Sequence, residues 1–172
     1  MVRKLVEIAL CIVCFILQIT LFKALEIASV SPNLLIVLVA AIGFMKGPKE
    51  GMLIGFISGF FVDIYFSPVL GFYALVYMLM GLFNGLFKKE FFPDDIKLPM
   101  LMIALSDFLY NITIYVVMFL FRGDTNLGYY LINVILPEVV YTMIVAIVLY
   151  LIILKINQRL EINEKRSASK FG

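Results

Sequence analysis

The chain has 172 residues, of which 63% are hydrophobic and 15% are charged, and its mean hydropathy is +1.07. Soluble globular proteins are roughly 45–50% apolar and about 25% charged, so this composition excludes a soluble domain. The net charge is only +2, histidine is absent and there are two cysteines. These features argue against nucleic-acid binding, zinc or haem sites and Ser-His-Asp catalysis, so no catalytic residue, metal or cofactor is expected.

Polar residues divide the chain into six apolar segments, which predict an all-α integral membrane protein with six transmembrane helices in a single domain. The first segment contains Cys11 and Cys14, a C-x-x-C pair that we interpret as small apolar helix residues. The second and third segments are short for a full crossing, which favours broken, tilted or locally buried helices. The predicted helices cover about 5–22, 27–45, 51–66, 71–87, 98–121 and 129–156, and 157–172 form a polar cytoplasmic tail.

The cations are distributed unevenly between the two sets of helix ends. Twelve of the 14 lysines and arginines lie near the termini or in the loops after the second and fourth segments, whereas Lys23 and Arg122 lie on the other side. Positively charged loops are retained in the cytoplasm. The asymmetry therefore predicts an even number of crossings with both termini cytoplasmic.

Glycines recur every four residues along the third segment, and the next step of four reaches Asp63. On a helix this spacing leaves one face without side chains, which allows another backbone to approach closely. Two uses of that face remain open: packing inside this subunit, or contact with a membrane helix of a partner. The candidate glycines are Gly47, Gly51, Gly55 and Gly59, and Gly81 and Gly85 repeat the spacing once on the fourth segment.

Four acidic residues lie within or beside the apolar segments, where ionisable groups are rare and usually face protein or water. One is Glu7 of the first segment. Counting about 1.5 Å per residue from the helix starts places Asp63 and Glu138 in the outer half of the bilayer and Asp107 nearer its middle. Asn111 lies one turn beyond Asp107, and this placement allows a shared polar pocket. Three roles remain open: structural hydrogen bonding to helix ends, a substrate or proton site, and pairing with an arginine of a partner.

Three short motifs follow one another along the chain: 31–35 reads SPNLL, 55–63 reads GFISGFFVD, and 67–72 reads SPVLGF. Their order and spacing, together with the length and the six-helix profile, resemble the bacterial rod shape-determining protein MreD family. The residues that carry the family motif are Pro32, Asn33, Asp63 and Gly71, and Asn33 stands where many relatives have Asp.

The resemblance implies a non-enzymatic scaffold subunit of the cell-wall elongation machinery in the bacterial cytoplasmic membrane. Such a subunit would bind a single-pass MreC-like protein and lie near MreB filaments, the RodA polymerase and a class B penicillin-binding protein. Such a subunit would act by binding alone. Binding favours one state of a partner only where the affinities for the two states differ.

MreD-like sequences also resemble the six-helix S components of energy-coupling-factor vitamin transporters, so the alternative function is a substrate-binding S component with that fold. An S component usually carries an A-x-x-x-A-like pattern on its first helix for docking its energising module, and residues 5–13 lack it. A vitamin pocket needs convergent polar and aromatic groups. The candidates to supply them are Asp63, Tyr110, Asn111 and Glu138.

Overall fold

A computed structural model describes residues 2–26, 30–67, 70–92, 95–118 and 127–168, and the regular elements in these ranges are helices. The six main helices are α1 (Val2–Ile19), α2 (Leu34–Lys46), α3 (Pro48–Phe66), α4 (Phe72–Leu86), α5 (Lys97–Met118) and α6 (Leu136–Ala168). Short helical turns cover Leu21–Ala24 and Lys88–Glu90. A further turn, Leu127–Tyr130, and the π-helical segment Leu131–Ile135 lead directly into α6.

Among the residues that the structure describes, three helical stretches are long and apolar enough to cross a membrane: Val2–Ala24, Lys97–Val117 and Gly128–Arg166. The helices α2 and α4 are apolar but shorter. A crossing needs about 20 apolar residues. The lengths and composition are therefore those of a membrane protein, as the sequence predicts.

The shortest main helix, α2, lies at the centre of the bundle. Every residue from Leu34 to Met45 is buried, and α2 contacts each of the other five main helices. A helix that is apolar on all sides is one that other elements surround. Its 13 residues span about 20 Å, less than the hydrocarbon core of about 30 Å, so its neighbours rather than lipid enclose it.

A single residue, Gly47, joins α2 to α3. Its φ of +103° lies in a region that strongly favours glycine, and Pro48 then begins α3 at a position where proline is preferred. Gly47 therefore precedes the helix and does not lie on the helical face that Gly51, Gly55 and Gly59 form. The glycine spacing predicts all four on one face, which is wrong for Gly47.

The bounds of two other helices differ from the predicted ones. The second helix begins at Leu34 because Asn33 caps it, with the Asn33 side chain accepting a hydrogen bond from the Ile36 N–H. Residues 27–29 and 119–121, which the predicted second and fifth helices include, lie outside the described residues. The sixth helix continues through Ala168, so most of the predicted polar tail is helical.

Ion pairs connect the polar part of α6 to the start of α1 and to the end of α2. The Glu164 carboxyl lies 2.9 Å from the Arg3 guanidinium at the start of α1, and Glu161 pairs with the Lys46 ammonium at the end of α2. The apolar part of the sixth segment ends before these residues, so a prediction from hydropathy places the end of α6 too early. We call this end of the bundle the basic end, and the end that carries Asn33 and Asp63 the capped end.

Candidate functional site

Asp63 is fully buried and joins α3 to α4 at the capped end. Its Oδ2 accepts hydrogen bonds from the backbone N–H groups of Gly71 (3.0 Å) and Ala74 (2.9 Å), and its Oδ1 accepts one from the N–H of Tyr73 (3.0 Å). The first N–H groups of a helix have no partner inside the helix, and a carboxyl group is favoured near them. Asp63 therefore supplies the acceptors for the start of α4, and two residues of the family motif, Asp63 and Gly71, meet here.

Asn33 connects three helices at the same end. Its Oδ1 accepts hydrogen bonds from the Ile36 N–H (3.1 Å) and from the Tyr77 hydroxyl of α4 (2.9 Å). Its own N–H donates to the Thr142 Oγ1 of α6 (3.1 Å). All of these side chains are buried, and Pro32 is buried immediately before the cap. Asn33 thus fixes the capped ends of α2, α4 and α6 relative to one another.

Asp107 of α5 lies beside this group. It is fully buried, and neither carboxyl oxygen has a hydrogen bond of ordinary geometry. Its hydrogen-bonding neighbour at looser geometry is Thr142, and the Glu138 carboxyl bonds to Asn111. Asn111 also donates to the Asp107 carbonyl (3.0 Å). We call the following residues the polar cluster: Asn33, Tyr77, Asp107, Asn111, Glu138 and Thr142.

Three of the four predicted intramembrane polar residues therefore come together, namely Asp107, Asn111 and Glu138. Asp63 does not join them, because the α4 N–H groups occupy its oxygens. Tyrosine rings lie between the two sites: the ring of Tyr110 is 6.5 Å from that of Tyr73 and 5.0 Å from that of Tyr77, measured between centroids. A fully buried carboxyl without a hydrogen bond of ordinary geometry is uncommon in proteins, which makes the polar cluster the candidate functional site.

Sequence reasoning missed several residues of this region. Tyr77 and Thr142 belong to the polar cluster, and their only signal was a hydroxyl inside an apolar segment, where such groups often bond across helices. A second link of this kind joins α4 to α5, because the Asn84 Nδ2 donates to the Ser106 Oγ (2.6 Å).

The glycine face of α3 lies against α4 of the same chain. A Cβ atom added at Gly55 would overlap the backbone of Tyr77, and one added at Gly59 would overlap the backbone of Tyr73 and Ala74. Only glycine, whose side chain is a hydrogen atom, allows this approach. Such close packing is how helices associate in a membrane, where the hydrophobic effect does not drive them together.

Three glycines meet where α2, α3 and α4 cross. A Cβ at Gly43 would lie 2.7 Å from the Gly81 carbonyl oxygen, and one at Gly51 would lie 2.8 Å from the Gly43 Cα. One at Gly85 would overlap Pro48. Gly43 lies one step of four before Gly47, so the glycine repeat extends to it, although the predicted repeat begins at Gly47. We call these contacts, with those of Gly55 and Gly59, the glycine seam.

Gln18 of α1 reaches the capped end, where its Oε1 accepts a hydrogen bond from the Leu35 N–H (3.2 Å), whereas the thiols and Glu7 make other contacts. Cys11 and Cys14 are buried free thiols, and the Cys11 Sγ lies 3.4 Å from the Ser58 Oγ of α3. Glu7 is buried towards the basic end, in a crevice that Lys46 and Asn157 also line. Within the described ranges, no three histidine, cysteine, aspartate or glutamate residues are grouped as metal ligands would be.

Comparison with known proteins gives one match. The family model described as rod shape-determining protein MreD matches residues 2–160 of the chain. No curated protein and no solved structure matches the chain.

Proposed function

Because this chain belongs to the MreD family of rod shape-determining proteins, we propose that it is a non-enzymatic scaffold subunit that binds an MreC-like single-pass membrane protein. The coarser function follows from the family alone: a membrane protein of the rod-shape complex that determines cell shape. The family match is the observation that carries the proposal. MreB filaments, the RodA polymerase and a class B penicillin-binding protein are the further neighbours that we propose.

We propose the bacterial cytoplasmic membrane as its location, with both termini in the cytoplasm. The basic end supports this orientation, because Arg3, Lys46 and the cations of the α6 extension gather there. Cationic ends stay on the cytoplasmic side of a membrane. The polar cluster and the Asp63 cap would then face the outer side.

The packing of the chain supports a scaffold that presents preformed surfaces. The glycine seam is used within the chain, so a partner helix would contact another face. Candidate faces carry large exposed apolar side chains: Leu5 on α1, Phe56 on α3, Leu101 on α5 and Val140 on α6. In a membrane such faces meet either lipid or another helix.

The experiment that tests the proposal is photo-crosslinking from each face in intact membranes. A photoreactive residue replaces Leu5, Phe56, Leu101 or Val140 in the full chain, and mass spectrometry identifies the captured proteins. The matched control replaces Val39, which is buried in α2. We expect at least one exposed position to capture the MreC-like protein and the Val39 variant to capture none. Failure of all four positions, with no MreC-like protein in a mild-detergent purification, would refute the scaffold proposal.

One observation favours the alternative function, a substrate-binding S component of a vitamin transporter. The polar cluster combines carboxyl, amide and hydroxyl groups with the Tyr77 and Tyr110 rings, as small-molecule sites often do. An S component would copurify with an ATPase module, and its deletion would make growth depend on an added vitamin. A scaffold would show neither result, and its loss would alter cell width.

A further inference from the structure

A narrow crevice lies between α1 and α6 at the basic end. Both helices pack against α2, which closes the crevice from behind. The crevice has room for roughly one water-sized group. Apolar side chains form most of its walls, among them Leu10 of α1, Ile42 of α2 and Ile153 of α6, and its polar groups are Glu7, Lys46 and Asn157. The crevice therefore fits a small polar group on a slender apolar stem.

One carboxyl group in this crevice lacks a cation. Glu7 is only 5% exposed, and its Oε2 has no hydrogen-bond partner. The cations near it are already paired with carboxyl groups of α6, Lys46 with Glu161 and Arg3 with Glu164. Within the ranges that the structure describes, no lysine or arginine forms an ion pair with Glu7. Because an unpaired buried carboxyl group is costly, the crevice is suited to a positively charged hydrogen-bond donor.

Glu7 lies a few ångströms inside the apolar layer of the membrane. The stretch Val2–Ala24 has 23 residues and is about 35 Å long, which exceeds the hydrocarbon core of about 30 Å by roughly 5 Å. Glu7 is five residues from Val2, so its Cα lies about 5 Å below the level of the lipid headgroups. A donor to Glu7 must therefore reach it through apolar surroundings.

We propose that the crevice receives a lysine side chain from the membrane helix of a partner, and that its ammonium group donates to the Glu7 Oε2. A lysine has a four-carbon stem that packs along apolar surface and a compact charged end, which matches the apolar walls and the small space. Membrane proteins carry most of their cations at the cytoplasmic ends of their helices, where the proposed orientation places Glu7. This inference rests on the proposed scaffold function and names one contact through which the chain holds a partner helix.

Zero-length coupling in intact membranes tests the contact. A membrane-permeant carbodiimide activates a carboxyl group, and an amine that lies against this group forms an amide with it while the carbodiimide leaves as a urea. We expect mass spectrometry to find Glu7 joined to a lysine near the end of a membrane helix in another protein. An amide with a lipid amine, or with an amine of this chain, would overturn the proposal. So would a Glu7 that carries only the rearranged carbodiimide, because no amine then lies against it.

A pair of variants tests the same contact by partner retention. Glu7→Gln keeps the size of the side chain and removes its charge. We expect it to retain about tenfold less of the coupled protein in mild detergent, the usual effect of losing a hydrogen bond between charged groups. The matched control Glu90→Gln removes an exposed carboxyl group outside the crevice and should retain as much as the wild type. Equal retention by Glu7→Gln and the wild type would overturn the proposal, and the coupling of the wild-type chain decides if Glu7→Gln does not fold.

Failure of this contact and failure of the scaffold function give different results. If only the Glu7 contact is wrong, photo-crosslinking from the exposed faces still captures an MreC-like protein while Glu7 couples to no lysine of a partner. If the chain binds no such partner, both experiments fail.

Discussion

Replacing Gly55 with alanine tests the glycine seam with a single methyl group. The added Cβ would overlap the Tyr77 carbonyl and lie 2.9 Å from the Met78 Cα. Both obstacles are backbone, so no side-chain rotation can relieve the contact. The Tyr77 carbonyl carbon would lie 2.7 Å from the new Cβ, so an ordinary carbon–carbon separation of about 3.5–4.0 Å requires α4 to retreat by roughly 0.8–1.3 Å. That movement also pulls the Tyr77 hydroxyl from Asn33, to which it donates at 2.9 Å.

Overpacking of this kind typically costs about 1–3 kcal/mol. Alanine also recovers about 1 kcal/mol of helix propensity relative to glycine, which partly hides the loss. Gly128 provides the matched control, because it lies in a helical turn and a Cβ there would meet nothing within 4 Å. The difference between Gly55→Ala and Gly128→Ala therefore isolates the overpacking, which we expect to lower stability by about 1–3 kcal/mol.

The assay is reversible unfolding of the full chain in mild detergent, with Phe56→Leu as a second control on the exposed face of α3. We expect Gly55→Ala to be destabilised, Phe56→Leu to be nearly unchanged and Gly128→Ala to be unchanged or slightly stabilised. Equal shifts for the two glycine variants, or a Gly55→Ala chain as stable as the wild type, would show that the seam is not tightly packed.

Three further predictions follow from the capped end and the cation distribution. Asp63→Asn retains one acceptor oxygen and should lose part of the α4 cap. Asp63→Leu leaves three N–H groups unpaired, and each one that water does not reach should cost about 1–3 kcal/mol. Measurements of cell width and of unfolding should show the leucine variant to be the more impaired, and the opposite ranking would contradict the cap. Tyr77→Phe removes the hydroxyl that bonds to Asn33 and to Tyr110, while Asn33 keeps its bond from the Ile36 N–H, so unfolding should show a loss of about 1 kcal/mol for each lost bond. A cysteine at exposed Leu70 should react with impermeant thiol reagents in intact cells and one at Lys88 should not, and the reverse pattern would invert the proposed orientation.

The apolar composition and the polar residues that divide the chain into segments by themselves determined much of this protein. They predicted an all-helical membrane chain with six main segments, because a bilayer requires long apolar helices whose backbone groups bond internally. The order of three motifs predicted the MreD family, which the family match confirms. One of the roles considered for Asp63 was hydrogen bonding to a helix end, and Asp63 does accept hydrogen bonds from the start of α4.

The tertiary structure alone decided how these segments use their polar groups. Asp63 and Asp107 look alike in sequence, yet one accepts three N–H bonds while the other has none, because only packing places the start of α4 over Asp63. The glycine repeat predicted that another helix approaches α3 closely. Which helix approaches, and that Gly43 of α2 takes part, is decided by contacts between separate helices. The helical extension of α6 brings Glu164 to Arg3, an ion pair between residues that are far apart in the chain. Hydropathy and spacing describe one segment at a time, and these contacts are properties of pairs of segments.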